Sequence, residues 1–143
     1  MDMDITETPR WASGKLVDLP PDECTRLLAE RSVGRVAWTG PAGPTVLPIN
    51  YVLVDDEIWF RTTAHSSFAT EVDDQPVAFQ IDDVDEFTRS GWSVLARGTA
   101  HVVFDTTRLP RTWSGPETWP SGAHALYVVI EPRLVTGKRL FAS

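Results

Sequence analysis

Residues 89–104, RSGWSVLARGTAHVVF, carry the reading of the fold. Taken with a period of two, Trp92, Val94, Ala96, Gly98, Ala100, Val102 and Phe104 fall on one face. Ser93, Leu95, Arg97, Thr99, His101 and Val103 fall on the other. The first face is apolar, so the stretch reads as a long strand with one side on a core. Gly98 is the odd member. Glycine weakens a strand and marks places where another backbone or a ligand approaches closely.

The same periodicity extends outward. VGRVAWT (33–39), TVLPINYVLV (45–54) and IWFRT (58–62) are separated by the breakers GPAGP and DDE, which predicts three consecutive strands of a meander. Pro48 has no amide to donate, so the second of them needs an edge, a bulge or a kink there. PVAFQID (76–82) is a fourth strand, the opening stretch a fifth and ALYVVI (125–130) a sixth, with RLVTGKRLF ending as a turn or a last short strand. A helix from about Asp22 to Glu30 follows Pro21, its acidic first turn facing the positive end of the helix dipole. HSSFATEVDD predicts a second short helix, with Ser66 or Ser67 near its start. Residues 105–124, rich in Pro, Gly and Ser, form a long connection of the kind that is often functional. The sum is a mainly β chain: a six- to seven-stranded antiparallel barrel, which removes exposed edges, with one or two short helices. Residues 1–15 read as a flexible N-terminal arm and 16–143 as one domain.

Thirteen basic against twenty acidic residues give a net charge of −7, which argues against a nucleic-acid partner. No run approaches the ~20 apolar residues of a membrane helix, and the acidic start has no signal-peptide character, so a cytoplasmic protein without membrane contact is expected. Cys24 lacks a disulfide partner and reads as an inert, partly buried thiol. His65, His101 and His124 are far apart in sequence, and no metal site is expected from them. The acidic run DDVDEF (82–87) reads as a solvated turn.

FRTTAHSSF (60–68) sets Arg61 beside Thr62, Thr63, Ser66 and Ser67 at a strand-to-helix transition, where amides, hydroxyls and a guanidinium can meet an anion such as phosphate. The structural alternative is a helix cap and an ordinary ion pair. The order LPPDECTRLLAERSVGRVAW, VLPINYVLVDDEIWFRT, VAFQIDDVDEFTRSGWSVLARGTA and VTGKRL resembles the pyridoxamine 5′-phosphate oxidase-like flavin-binding proteins, over residues 16–141. The resemblance implies a split β-barrel that forms a two-fold homodimer, with FMN in grooves between the subunits. It also implies flavin contacts from Asn50, Arg61, Thr62 and Thr63, phosphate contacts from Ser66 and Ser67, and Trp92 near the ring or at the subunit junction. One departure stands out: Ser67 lies where relatives often carry a lysine, a loss of about 1 to 3 kcal/mol in charge-assisted contact, with Arg61 or a partner's Arg35 or Arg97 available to compensate.

The function implied is an oxidoreductase passing hydride or electrons to a small planar substrate. Tyr51, His65 and Arg97 are candidate proton donors or substrate clamps. The deazaflavin F420 is a second cofactor option, disfavoured by the acidic chain because its polyglutamate tail wants a basic groove. A non-catalytic flavin or tetrapyrrole-binding module is the alternative class, and a barrel that keeps only its dimer interface a third. Oxidation of pyridoxamine phosphate is not expected, because VTGKRLFAS offers only Lys138 and Arg139 for a second phosphate.

Overall fold

The computed structural model describes residues 15–63, 67–103 and 125–142. Eight strands and two helices follow one another as β1 (Lys15–Asp18), α1 (Pro21–Glu30), β2 (Val33–Gly40), β3 (Gly43–Asn50), β4 (Val52–Val54), β5 (Glu57–Thr63), α2 (Ser67–Val72), β6 (Gln75–Asp85), β7 (Ser90–Val103) and β8 (Ala125–Phe141). The described pairings are all antiparallel, in the order β3-β2-β6-β7-β8-β5-β4, with β1 added to β8. The two ends of that order, β3 and β4, are consecutive in the chain and meet at Tyr51. The sheet therefore curls until one bent strand serves both of its edges, and the mainly β, antiparallel split-barrel expectation holds.

The interior follows from alternation. Trp92, Val94, Ala96, Ala100 and Val102 of β7 are all buried and join Val36, Ile58, Phe60, Phe79, Ile81, Val128 and Ile130 in one cluster. Tyr51 stacks edge-on against Phe79 at 4.7 Å, and its hydroxyl donates to the Leu28 carbonyl at 2.6 Å, tying α1 to the point where the sheet closes. Helix α1 presents Cys24, Leu27 and Leu28 to this core, the i, i+3, i+4 set of one helical face. Helix α2 contributes Phe68, which meets Trp38 edge-on at 4.7 Å. The acidic turn between β4 and β5 places Asp55 and Asp56 at φ 51° and 63°, the two left-handed positions of a tight hairpin turn.

Three expectations change. The segment 45–54 is two strands, because Tyr51 leaves the ladder and its amide bonds to the Ser32 carbonyl at 2.9 Å. Residues 15–18 form β1, paired with residues 138–141, so the described chain enters the sheet at Lys15, within the expected arm. Residues 125–141 are one strand rather than two. Its register against β7 shifts between Arg97 and Gly98, which face Leu134 and Pro132, so Arg133 is the extra residue of a β-bulge. The bulge accommodates a proline that cannot donate, and it explains Gly98: a Cβ there would lie 2.0 Å from the Glu131 carbonyl oxygen. Gly98→Ala is therefore expected to cost about 3 kcal/mol or more, because backbone has to move rather than a side chain. A urea-denaturation midpoint within error of the parent would contradict this. The rest of the expected arm, residues 1–14, the connection 105–124, and Phe104, His65, Ser66 and His124 lie outside the described residues.

Candidate flavin site

Strand β5 has two different faces. Ile58 and Phe60 enter the main core, whereas Trp59, between them, belongs to a second cluster on the opposite face of the sheet with Val103 and Val129. Val52, Val54 and Tyr127 pack against that cluster. Arg61 continues the outward side of β5 two residues after Trp59, directly opposite Tyr127 of β8. A partly buried guanidinium thus lies beside a second, buried apolar cluster on the outward side of β5.

Arg61 differs from four other arginines of the chain in its charge neighbours. Arg26, Arg31, Arg35 and Arg139 each have a carboxylate within 3.5 Å. Arg61 has none among the described residues, and its Nε is buried without a hydrogen-bond partner. A buried guanidinium N–H left unsatisfied costs on the order of 1 to 3 kcal/mol, more for a charged group. Of the other residues expected in the site, Thr62 sits opposite Leu126 and Thr63 ends β5 opposite Ala125. Ser67 is the exposed first residue of α2. Asn50 ends β3 opposite Val33, half-buried. By the alternation of β5, Arg61 falls on its outward side and Thr62 on the side of Phe60, while Asn50 belongs to the bent strand that reaches β5 through β4.

Trp92 is placed differently. It faces the core at 8% exposure, with the Arg31 guanidinium 5.0 Å above its ring. Tyr51, a candidate proton donor, is enclosed in the barrel at 1% exposure. Burial raises its pKa, with Arg31 pulling weakly the other way, so its hydroxyl acts as a structural donor to Leu28. Cys24 is fully buried; desolvation first, then Glu23 and Asp22, push its thiol up. It is expected to react with Ellman's reagent at least about tenfold more slowly than an exposed thiol, since the thiolate is the nucleophile. Stoichiometric labelling of the native protein within seconds would contradict that.

The acidic run 82–87, expected as a turn, is mostly the exposed end of β6, which pairs with β7 as far as Asp85. Arg31 meets Asp83 at 3.0 Å, and only beyond Asp85, which accepts the amides of Phe87 and Thr88, does the chain turn. His101, read only as far from the other histidines in sequence, meets Asp74 at 2.7 Å, with Asp73 close by accepting the Val102 amide. The sequence gives no sign of this meeting, because only the pairing of β6 with β7 brings residues 73 and 74 beside 101.

Residues 20–139 match the family of pyridoxamine 5′-phosphate oxidase. The chain belongs to that family. An uncharacterised protein of Mycobacterium tuberculosis is 38% identical over 133 residues, 90% of this chain and 88% of its own. A structure of an FAD-binding protein from Mycobacterium smegmatis superposes with a TM-score of 0.76 at 30% identity, covering 89% of this chain and 99% of that one. A conserved protein of unknown function from Corynebacterium diphtheriae superposes at 0.72 with 29% identity, covering 87% and 97%. This oxidase-family chain thus shares its fold with a flavin binder along nearly its whole length. Among its described residues no helix is long and apolar enough to cross a membrane.

Proposed function

We propose that this protein binds a flavin through the β5–α2 segment and uses it as an oxidoreductase towards a small planar substrate. The observation that carries the reading is Arg61, whose buried Nε lacks a partner among the described residues. A flavin supplies what that site lacks: an oxyanion or carbonyl oxygen for the guanidinium to donate to. The similarity to an FAD-binding protein supports the same cofactor class. FMN is the form proposed here, since it carries the shared ring and phosphate with the fewest further demands. F420 fits less well with a chain of net charge −7.

Arg61 would bind the flavin's polar groups from the outward side of β5, with amides or hydroxyls of Thr62, Thr63, Ser66, Ser67 and Asn50 alongside; Trp92, buried in this subunit's core under Arg31, is not among the contacts. The bound flavin would supply the hydride and electron chemistry, and the protein would orient the ring and exclude water from it. The exposed Val33, Val46 and Leu47 of β2 and β3 support a two-fold homodimer with the cofactor at the junction, because a second subunit would cover apolar side chains that this chain leaves open. Light scattering is expected to give twice the 15.9 kDa chain mass.

Turnover separates an enzyme from a binding module. Flavin-loaded protein, reduced chemically, is expected to be reoxidised by at least one of a quinone, a nitroaromatic and an enone panel at a rate above that of free reduced flavin. Rates equal to free flavin across the panel would leave binding or sensing as the function.

A further inference from the structure

His101 is the one histidine among the described residues, and three elements of the fold converge on it. It stands on β7, with the α2–β6 junction on one flank and the start of the bulge in β8 on the other. Its Nδ1 lies 2.7 Å from Oδ1 of Asp74, and Asp73 brings a second carboxylate. One donor atom from each of Asp73, Asp74 and His101 lies within 4.8 Å of the other two. Bonds outside the cluster hold the two aspartates there. The Asp74 amide donates to the Ala100 carbonyl at 2.8 Å and the Asp73 amide to the Ala69 carbonyl at 3.3 Å. Oδ1 of Asp73 accepts the Val102 amide at 2.8 Å, and a carboxylate so fixed has a second oxygen to offer.

An imidazole nitrogen with two carboxylates is a donor set for a first-row divalent cation, water taking the remaining positions. The imidazole decides the class, since carboxylates alone suit hard cations that seek only oxygen. Two ligands of a tetrahedral zinc stand about 3.3 Å apart. The His101–Asp74 contact therefore has to open slightly and the wider spacings to close, and Asp74, with 75% of its side chain exposed, can rotate to do so. The far side of the ring suits the same state. A cation on Nδ1 leaves the ring's single proton on Nε2, and Oε2 of Glu131 stands 3.6 Å from Nε2. A carboxylate behind a metal-bound histidine fixes the tautomer and raises the basicity of the ligating nitrogen. None of these residues is among the proposed flavin contacts.

We propose that Asp73, Asp74 and Nδ1 of His101 bind a divalent transition-metal ion of the zinc class. Calorimetric titration of the full chain with Zn²⁺ tests it, and NMR of the imidazole nitrogens reads which of them takes the metal. Saturable binding is expected, with a Kd of about 100 µM or tighter. Ca²⁺ should bind at least about tenfold more weakly, because it takes oxygen ligands. His101→Gln and Asp74→Asn should each raise the Zn²⁺ Kd about tenfold or more, through loss of one of the protein ligands. Asp56→Asn, which removes an exposed charge from the turn between β4 and β5, should leave that Kd unchanged. Asp74→Asn, at an exposed side chain, keeps the test decisive if His101→Gln disturbs the fold. Of the two nitrogens of His101, Nδ1 should be the one that binds Zn²⁺. The proposal is overturned if Zn²⁺ does not saturate the protein up to about 1 mM, or if Ca²⁺ binds as tightly. It is equally overturned if Asp74→Asn binds Zn²⁺ as the parent does, or if Nε2 takes the metal.

Discussion

Replacing Arg61 with alanine is expected to weaken FMN binding by one to two orders of magnitude while leaving the fold intact. In the free protein the guanidinium carries an unsatisfied buried Nε and no ion pair among the described residues, so truncation removes little that holds the barrel together. In the complex it would lose a charge-assisted contact of about 1.5 to 3 kcal/mol, and that difference sets the expected change in Kd. Arg61→Lys should fall between the two, keeping the charge but not the planar fork. Flavin-fluorescence titration measures the change, and thermal unfolding of the same variants checks the fold. An unchanged Kd would remove Arg61 from the site; a collapsed melting temperature would make it a structural residue.

The largest loss of stability is expected from Tyr51→Ala. Tyr51 is 1% exposed, stacks on Phe79 and bonds to Leu28 where the two edges of the sheet become one strand. Deleting a buried aromatic costs about 3 to 5 kcal/mol. Tyr51→Phe keeps the ring and leaves the Leu28 carbonyl without its donor, a loss of about 1 to 3 kcal/mol. The raised pKa adds a pH signature. The folded state holds this proton more tightly than the unfolded chain, so the stabilisation is complete below the unfolded value near 10 and declines as pH rises above it. The slope is about 1.4 kcal/mol per pH unit, and Tyr51→Phe should remove it. Urea midpoints of parent and Tyr51→Phe that run parallel from pH 9 to pH 11 would contradict the assignment.

How much of this was legible in the sequence depends on whether a residue's role is local. Strand β7 was readable because its alternation runs unbroken from Trp92 to Val102, and every core-facing member of it is buried. Helix α1 was readable from its proline, its acidic first turn and its apolar spacing. Strand β8 was not, since the bulge at Arg133 inverts the phase: Tyr127, Val129 and Glu131 share a face with Leu134 and Thr136, and a period-two reading breaks there. Strand β1 is four residues long, and its identity depends on a partner 120 or more positions away. For the site, the run from Arg61 to Ser67 was visible as a cluster of polar residues at a strand-to-helix junction. The unpartnered state of Arg61 was not, because it depends on which carboxylates the fold brings near. Trp92 shows the same limit from the other side: alternation put it on the core-facing side of the strand, the resemblance near the ring or the subunit junction, and its burial decides for this subunit's own core.

The central claim is that this chain is a flavin binder, and equilibrium titration of the flavin-free protein with FMN and with FAD tests it most directly. The account predicts saturable quenching of flavin fluorescence at one flavin per chain, with a Kd of about 10 µM or tighter for at least one of the two, near −7 kcal/mol. No saturation with either flavin up to about 1 mM, where the binding free energy falls to roughly −4 kcal/mol, would contradict it.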